Sequence, residues 1–562
     1  MVLEVQKNAT ARRLDEQKRR TSSPRDGPVR IEDWFLTADE RGNPATEIDR
    51  RRGDGKAWTT GNSVEVLIHG AEYFARLYDV LCTLVEDDWV HLTDWEGDPD
   101  QRLAGPGTAT GHVLADLARQ GVHVRGLLWR SHPRQAHLSE QQNTKLVREV
   151  NQAGGELLLD ERIRRGGSHH QKLVVVRRAA GPDDDVAFVG GIDLCHGRRD
   201  DAQHEGDPQA IELDPRYGPR PPWHDIQLQL RGPAVGDVAH TFRERWDDPT
   251  PLDHRNPLRM VMRRLTRQPR RPDPLPPVRR DPAPAGPHAV QIIRTYATKR
   301  PPYPFAPQGE RSIGRAYLKA LRRARKLVYI EDQYLWSQQW AVAIADALRR
   351  EPDLRVIAAV PRFAERGGRV SASSENIGRH RVMDTLREAG GDRVGVFDLE
   401  NVHGTPIYIH AKICVIDDVW LEVGSDNLNR RSWTHDTELS CAVIDSTHDD
   451  REPLDPARLG DHARRLPRDA RLRLWREHLG RSDGDDADLL DTASGLEAWR
   501  NAAARLDAWH EAGKRGARPA GHARFHEPER VPTWQRGLSR VLHRAFVDPD
   551  GRPRRLRGAD DL

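Results

Sequence analysis

Residues 407–427 read IYIHAKICVIDDVWLEVGSDN. Apolar and β-branched residues run to a turn at Asp417-Asp418, resume, and stop at Gly424-Ser425, which is the pattern of a β-hairpin. The spacing predicts strands over Tyr408–Ile416 and Val419–Val423. Because side chains alternate across a strand, His410 and Lys412 then share one face while apolar neighbours take the other. A second copy stands upstream: SHHQKLVVV at 168–176 and VAFVGGIDL at 186–194, with His170 and Lys172 at the same spacing and Gly190-Gly191 at the hairpin end. Only ten of the 89 basic residues are lysine, against 25 histidines, so a chance H-x-K is expected about 0.5 times. Two of them, each tied to a hairpin, indicate a duplicated unit.

The same duplication reads outward from both motifs. In the first half a strand at Ser63–His69, a helix at Ala71–Val85, a strand at Trp89–Thr93, a helix at Thr108–Arg119 and a strand at Val122–Trp129 are expected from periodicity. The second half repeats the succession: strand Val290–Arg294, helix Ser312–Ala324, strand Leu327–Glu331, helix Gln339–Arg349, strand Arg355–Val360, helix Glu375–Ala389 and strand Val394–Asp398. VHLTDWEGD matches VYIEDQYLW in place, and VHVRGLLWR matches LRVIAAVPR. Between the halves, PDPLPPVRRDPAPAGP at 272–287 admits neither helix nor central strand. The organisation read from this is a polar, largely flexible arm at 1–60 with one ordered segment at Ile31–Leu36, a first half at 61–250, a Pro/Arg-rich linker at 251–289, a second half at 290–480 and a charged, partly helical extension at 481–562. The fold class is α/β, an α/β/α sandwich of two similar halves.

Composition narrows the partners. Basic and acidic residues, 89 and 86, leave a net charge of only +3, which disfavours a nucleic-acid partner. Four cysteines without C-x-x-C spacing give neither a zinc ribbon nor a disulfide framework. No run of about 18 apolar residues occurs and the charged start lacks a signal-peptide core, so a cytoplasmic chain without a transmembrane segment is expected, peripheral to a membrane at most. His196, His204 and Asp207 were the one trio with metal-ligand chemistry, and neither a metal nor any other cofactor is expected.

An imidazole beside an ammonium, presented twice, suits a phosphodiester: two cations hold nonbridging oxygens while one His attacks phosphorus and the other protonates the leaving alcohol. Here the chain resembles the phospholipase D superfamily, whose signature is H-x-K-x4-D followed by G-[GS]-x-[ND]. His410, Lys412, Asp417, Gly424, Ser425 and Asn427 match every position. GNSVEVLIHGAEYF, FVGGIDLCHGRRD, PPWHDIQLQLRGPAV, LVYIEDQYL and LRLWREHLG resemble blocks of its eukaryotic-type branch. The resemblance implies a phosphohistidine on His170, with His410 as general acid and then general base. It also implies an orienting carboxylate for each: Asp225 for His170, and Asp436 or Glu438 for His410.

The first copy departs from the pattern. Counting back from Gly190, the motif acid falls on Asp183 after six extra residues, and Asp183, Asp184 and Asp185 are all candidates for it; Asp417 and its first-copy substitute are expected to brace the hairpin turn. Asp193 stands where the second copy has Asn427. The resemblance implies a monomeric, metal-independent phospholipase D that cleaves a membrane glycerophospholipid to phosphatidic acid and a free head group, with transfer to alcohols as a side reaction. The alternatives are a phosphatidyltransferase of cardiolipin synthase type, an exported phospholipase toxin, a nuclease, and a catalytically silent lipid-binding relative.

Overall fold

In the computed structural model, which describes residues 30–130, 139–252, 272–365, 369–529 and 543–557 with Val261, Leu265 and Leu562, the duplication is a repeated strand order. In the first half β1 (Thr59–Ile68), β8 (Ile226–Arg231), β6 (Val186–Gly190), β5 (Leu173–Arg177), β2 (Trp89–Asp94), β3 (His123–Trp129) and β4 (Glu156–Asp160) lie side by side. In the second half β9 (His288–Tyr296), β17 (Glu438–Asp445), β16 (Trp420–Gly424), β15 (Ile413–Ile416), β11 (Leu327–Glu331), β12 (Arg355–Ala359) and β13 (Val394–Leu399) take the same places. β2, β3 and β4 run parallel, as do β11, β12 and β13, while the motif hairpins are antiparallel. β1 pairs with β9 at a bulge between Thr59 and Asn62, joining the halves into one sheet of 16 strands among the described residues.

Period-two burial builds the layers. Leu173 and Val175 join a core shared by both halves, whereas Val174 and Val176 face a core under helices Gly70–Leu81, Thr110–Arg119 and Ser139–Gln152. Helices Ser312–Arg323 and Gln338–Arg350 cover the equivalent face of the second half. The shared core is closed by helices Ala234–Trp246, Arg465–Leu479 and Thr492–Glu511. The two fully buried arginines Arg468 and Arg471 anchor Arg465–Leu479 to the hairpin turn through Asp418, at 2.9 and 2.7 Å.

Two expectations change. Residues 30–58 are built into the second half: Trp34, Phe35 and Leu36 are buried in its core, and buried Arg41 is paired with Asp49 at 2.7 Å and Glu310 at 3.0 Å. Residues 1–29 of the expected arm lie outside the described residues. The single strand expected over Tyr408–Ile416 is two: β14 (Tyr408–Ile409) ends before His410 and β15 begins after Lys412. β14 leaves the main sheet to pair, in parallel, with β7 (Trp223–His224) of the first half. The linker's described part runs along helix Ala234–Trp246, where Trp246 Nε1 donates to the Asp273 carbonyl at 2.7 Å; 253–260, 262–264 and 266–271 lie outside the described residues.

Candidate active site

The β7–β14 pairing fixes what meets what. Tyr408 lies opposite Trp223 and Ile409 opposite His224, so the next residues, His410 and Asp225, fall together. The pseudo-equivalent bridge, His169 opposite Thr437, brings His170 beside Glu438. The resulting hydrogen bonds are His410 Nδ1 to Asp225 Oδ2 at 2.7 Å and His170 Nδ1 to Glu438 Oε2 at 2.8 Å. This overturns the expected assignment: Asp225 serves the second-half histidine and Glu438 the first-half one. Each His-x-Lys segment crosses to pair with the other half, and a carboxylate one residue beyond the pairing comes within reach of the imidazole. Asp436 serves neither: it is ion-paired with Arg431 at 2.7 Å and accepts from Ser168 N at 2.9 Å.

The registers Gly190↔Gln227 and Gly424↔Ser440 make Asp225 and Glu438 equivalent positions, and the hairpin ends are shaped around them. A Cβ on Gly191 would lie 2.4 Å from Asp225 Oδ1, so that residue has to lack one. Its counterpart Ser425 instead donates Oγ to Glu438 Oε2 at 2.6 Å. Gly190 and Gly424 press on Gln227 and Ser440, where a Cβ would meet atoms at 2.4 and 1.8 Å.

Both ammonium groups are buried. Lys172 Nζ lies 3.2 Å from Asp193 Oδ1 and donates to the His170 carbonyl at 3.2 Å; Lys412 donates likewise to the His410 carbonyl. At the position equivalent to Asp193 the second half has the neutral Asn427, whose backbone N–H donates to Ser432 Oγ at 3.1 Å. Burial brings Lys412 down to about 8, with Asp225 pulling it up and Lys172 pushing it down. Burial and the adjacent lysines hold both imidazoles well below the usual histidine range, and burial with the Asp436 charge raises Glu438 to about 8.

These groups converge on one cavity of about 280 Å³ lined from both halves, including His170, Asp193 and Trp223 on one side and His410, Asn427 and Glu438 on the other. Sequence reading missed Asp94, which accepts from Leu194 N at 2.8 Å and, with Asp193, takes the Trp95 N–H. Its signal was available, because Asp332 in the matched block accepts from Leu428 N at the same 2.8 Å. Trp223, whose Nε1 donates to Asp225 at 3.3 Å, was also missed. Glu331 is buried between His224 and His478 at 2.6 and 2.7 Å. The brace in the first hairpin is Asp185, buried against Arg177 at 2.5 Å and accepting from Arg178 N; Asp183, where the count from Gly190 falls, is 55% exposed. Asp417 does brace the second, accepting from Arg325, Lys326 and Leu327 N at 2.8 Å each.

The family model described as Phospholipase D matches residues 99–261 and 395–511, both copies of the motif included. The chain belongs to the phospholipase D superfamily. A second model of that superfamily, described as Cardiolipin synthase, PLD-like domain, matches residues 317–451. Phospholipase D gamma 2 of Arabidopsis thaliana is 27% identical over 397 residues, covering 52% of this chain and 45% of the relative. Phospholipase D1 of Saccharomyces cerevisiae is 25% identical over 529 residues, 77% of this chain and 29% of the relative. These relatives place the chain in the eukaryotic-type branch, and it spans less than half of their length. Among solved structures, a phosphatidylserine synthase of Haemophilus influenzae aligns over 68% of this chain and 82% of that one, at 13% identity and a TM-score of 0.45.

Proposed function

We propose that this superfamily member is a phospholipase D that cleaves the head-group ester of a membrane glycerophospholipid, working as a monomer peripheral to the bilayer on its cytoplasmic side. The observation that carries the reading is the pair of crossed His–carboxylate hydrogen bonds, whose two histidines line one cavity, with a buried lysine two residues beyond each histidine. With Nδ1–H given to Glu438, the His170 Nε2 lone pair attacks phosphorus. As the P–O bond to the head group breaks, His410 Nε2–H protonates the departing oxygen. His410 then takes a proton from water, the resulting hydroxide attacks phosphorus, and phosphatidic acid leaves as the P–N bond breaks and His170 is restored. Lys172 and Lys412 neutralise the nonbridging oxygens throughout. A primary alcohol in place of water gives a phosphatidyl alcohol by the same step. No helix among the described residues is long and apolar enough to cross a membrane, consistent with peripheral contact.

The match of residues 317–451 to the cardiolipin synthase model favours one competitor, transfer to a lipid hydroxyl. The test incubates the purified protein with phosphatidylcholine vesicles and butanol. Choline, phosphatidic acid and phosphatidylbutanol are expected, and none with His170→Ala or His410→Ala. Conversion of phosphatidylglycerol to cardiolipin, or cleavage of single-stranded DNA, without those products overturns the reading.

A further inference from the structure

Behind the catalytic strands lies a second, buried cluster. His69, His204 and His224 of the first half meet Glu477 of helix Arg465–Leu479, with one donor atom from each lying within 4.8 Å of all the others. His69 Nε2 is 2.9 Å from Glu477 Oε2, His204 Nε2 is 3.1 Å from Oε1, and His224 Nδ1 is 3.8 Å from Oε1. The two spacings to Oε1, 3.1 and 3.8 Å, bracket the edge of about 3.3 Å expected of a tetrahedron with arms of about 2.0–2.1 Å, the geometry of zinc with nitrogen and carboxylate donors. All three histidines are at least 96% buried.

Hydrogen bonding alone leaves this cluster incomplete. His224 is fully buried and its Nδ1, aimed at Glu477, has no hydrogen-bond partner. Its other nitrogen is taken by Glu331 Oε2 at 2.6 Å, the carboxylate–histidine relay that fixes the tautomer and basicity of a metal ligand. Glu331 is fixed in turn by Tyr329 OH and His478 Nε2. The Glu477 side chain, at 13% exposure, leaves a path for an ion to enter. His196 and Asp207, grouped with His204 at the sequence level, belong elsewhere: His196 faces Asp98 and Asp100 at 3.4 and 3.1 Å, and Asp207 accepts from Arg199 and Gln209 N.

We propose that His69 Nε2, His204 Nε2, His224 Nδ1 and Glu477 bind one structural Zn²⁺, which clips helix Arg465–Leu479 to the first half. Four protein donors leave no open position, so the site is structural in kind. Its reach extends to the reaction centre. His224 is the residue before Asp225, and its carbonyl accepts from His410 N at 2.8 Å, so fixing His224 holds the strand that orients the general acid. Asp225 and His410 are then positioned by a metal they do not touch.

The test uses the whole 562-residue chain. Elemental analysis is expected to find one zinc per chain after extensive dialysis, and removal with a strong chelator should lower the melting temperature reversibly. Reloading the stripped protein with Co²⁺ should give the intense visible d–d bands of a tetrahedral site. Glu477→Gln should lose the bands, Glu331→Gln should weaken Zn²⁺ affinity 10–100-fold, and His196→Ala should retain both. If Glu477→Gln fails to fold, the wild-type cobalt spectrum and Glu331→Gln carry the test. Overturning results are a folded wild type with far less than one zinc that binds no added Zn²⁺, an octahedral cobalt spectrum, or bands unchanged by Glu477→Gln.

Discussion

His170 and Glu438 stand 268 residues apart and share a hydrogen bond of 2.8 Å. With its counterpart between His410 and Asp225, it makes each histidine depend on a carboxylate of the opposite half. Neither half can therefore assemble a complete acid or nucleophile alone.

The crossing separates the two carboxylates kinetically. Glu438→Gln should slow attack on phosphorus, and Asp225→Asn should slow protonation of the leaving group, each by roughly 10²–10⁴-fold on a phospholipid. A phosphodiester with a p-nitrophenol leaving group, which departs without a proton, should restore the first turnover of Asp225→Asn and His410→Ala but not of Glu438→Gln or His170→Ala. Burst kinetics read the difference. The reverse pattern would assign the carboxylates uncrossed.

The pH profile should carry the same pair. Glu438 is raised from its ordinary value to about 8, so below that pH it is protonated and gives His170 no anionic acceptor. Turnover should climb as pH rises toward about 8. Lys412, lowered to about 8, loses its charge above that point, so KM for the anionic phosphodiester should rise there. Glu438→Gln should flatten the ascending limb of kcat and leave the KM rise in place.

The hairpin braces differ in cost. Asp417→Ala leaves three backbone N–H groups without their acceptor, and Asp185→Ala unpairs Arg177; each should cost about 1–3 kcal/mol in urea unfolding. Asp183→Ala, at an exposed site, should stay within about 0.5 kcal/mol. For Asp417 the sign with pH is set by burial, which raises it to about 6. Its contribution is fully present below the unfolded carboxylate value and falls as pH rises through about 6, so the penalty of Asp417→Asn should shrink toward neutral pH.

Residues 30–58 should behave as core. Trp34→Ala removes a fully buried indole from the second half and should cost about 3–5 kcal/mol, read as a lower denaturation midpoint at unchanged slope.

Local pattern carried most of the strands. Leu327–Glu331 is as expected to the residue, and the helix over Ser312–Arg323 ends one residue early, because alternation and helical spacing are encoded in neighbours. Helix Ser139–Gln152 and β4, absent from the reading, lie beyond a stretch of weak periodicity. In the N-terminal segment the ordered stretch Ile31–Leu36 is legible, but not what it packs against. Trp34, Phe35 and Leu36 are a short apolar island among charges, and their burial depends on a groove supplied by helix Ser312–Arg323, almost 280 residues away.

The sequence by itself determined the duplication, the α/β class, the two His-x-Lys pairs and the glycines at the hairpin ends, since each is a matter of residue type at short spacing. Only the tertiary structure decided which carboxylate serves which histidine, which of three adjacent aspartates braces the first hairpin, and that His69, His204, His224 and Glu477 converge. Those relations arise where β14 leaves its own sheet to pair with β7 and where helix Arg465–Leu479 returns across the first half. Contacts between segments hundreds of residues apart are set by how two sheets join, and no local pattern of residues records that junction.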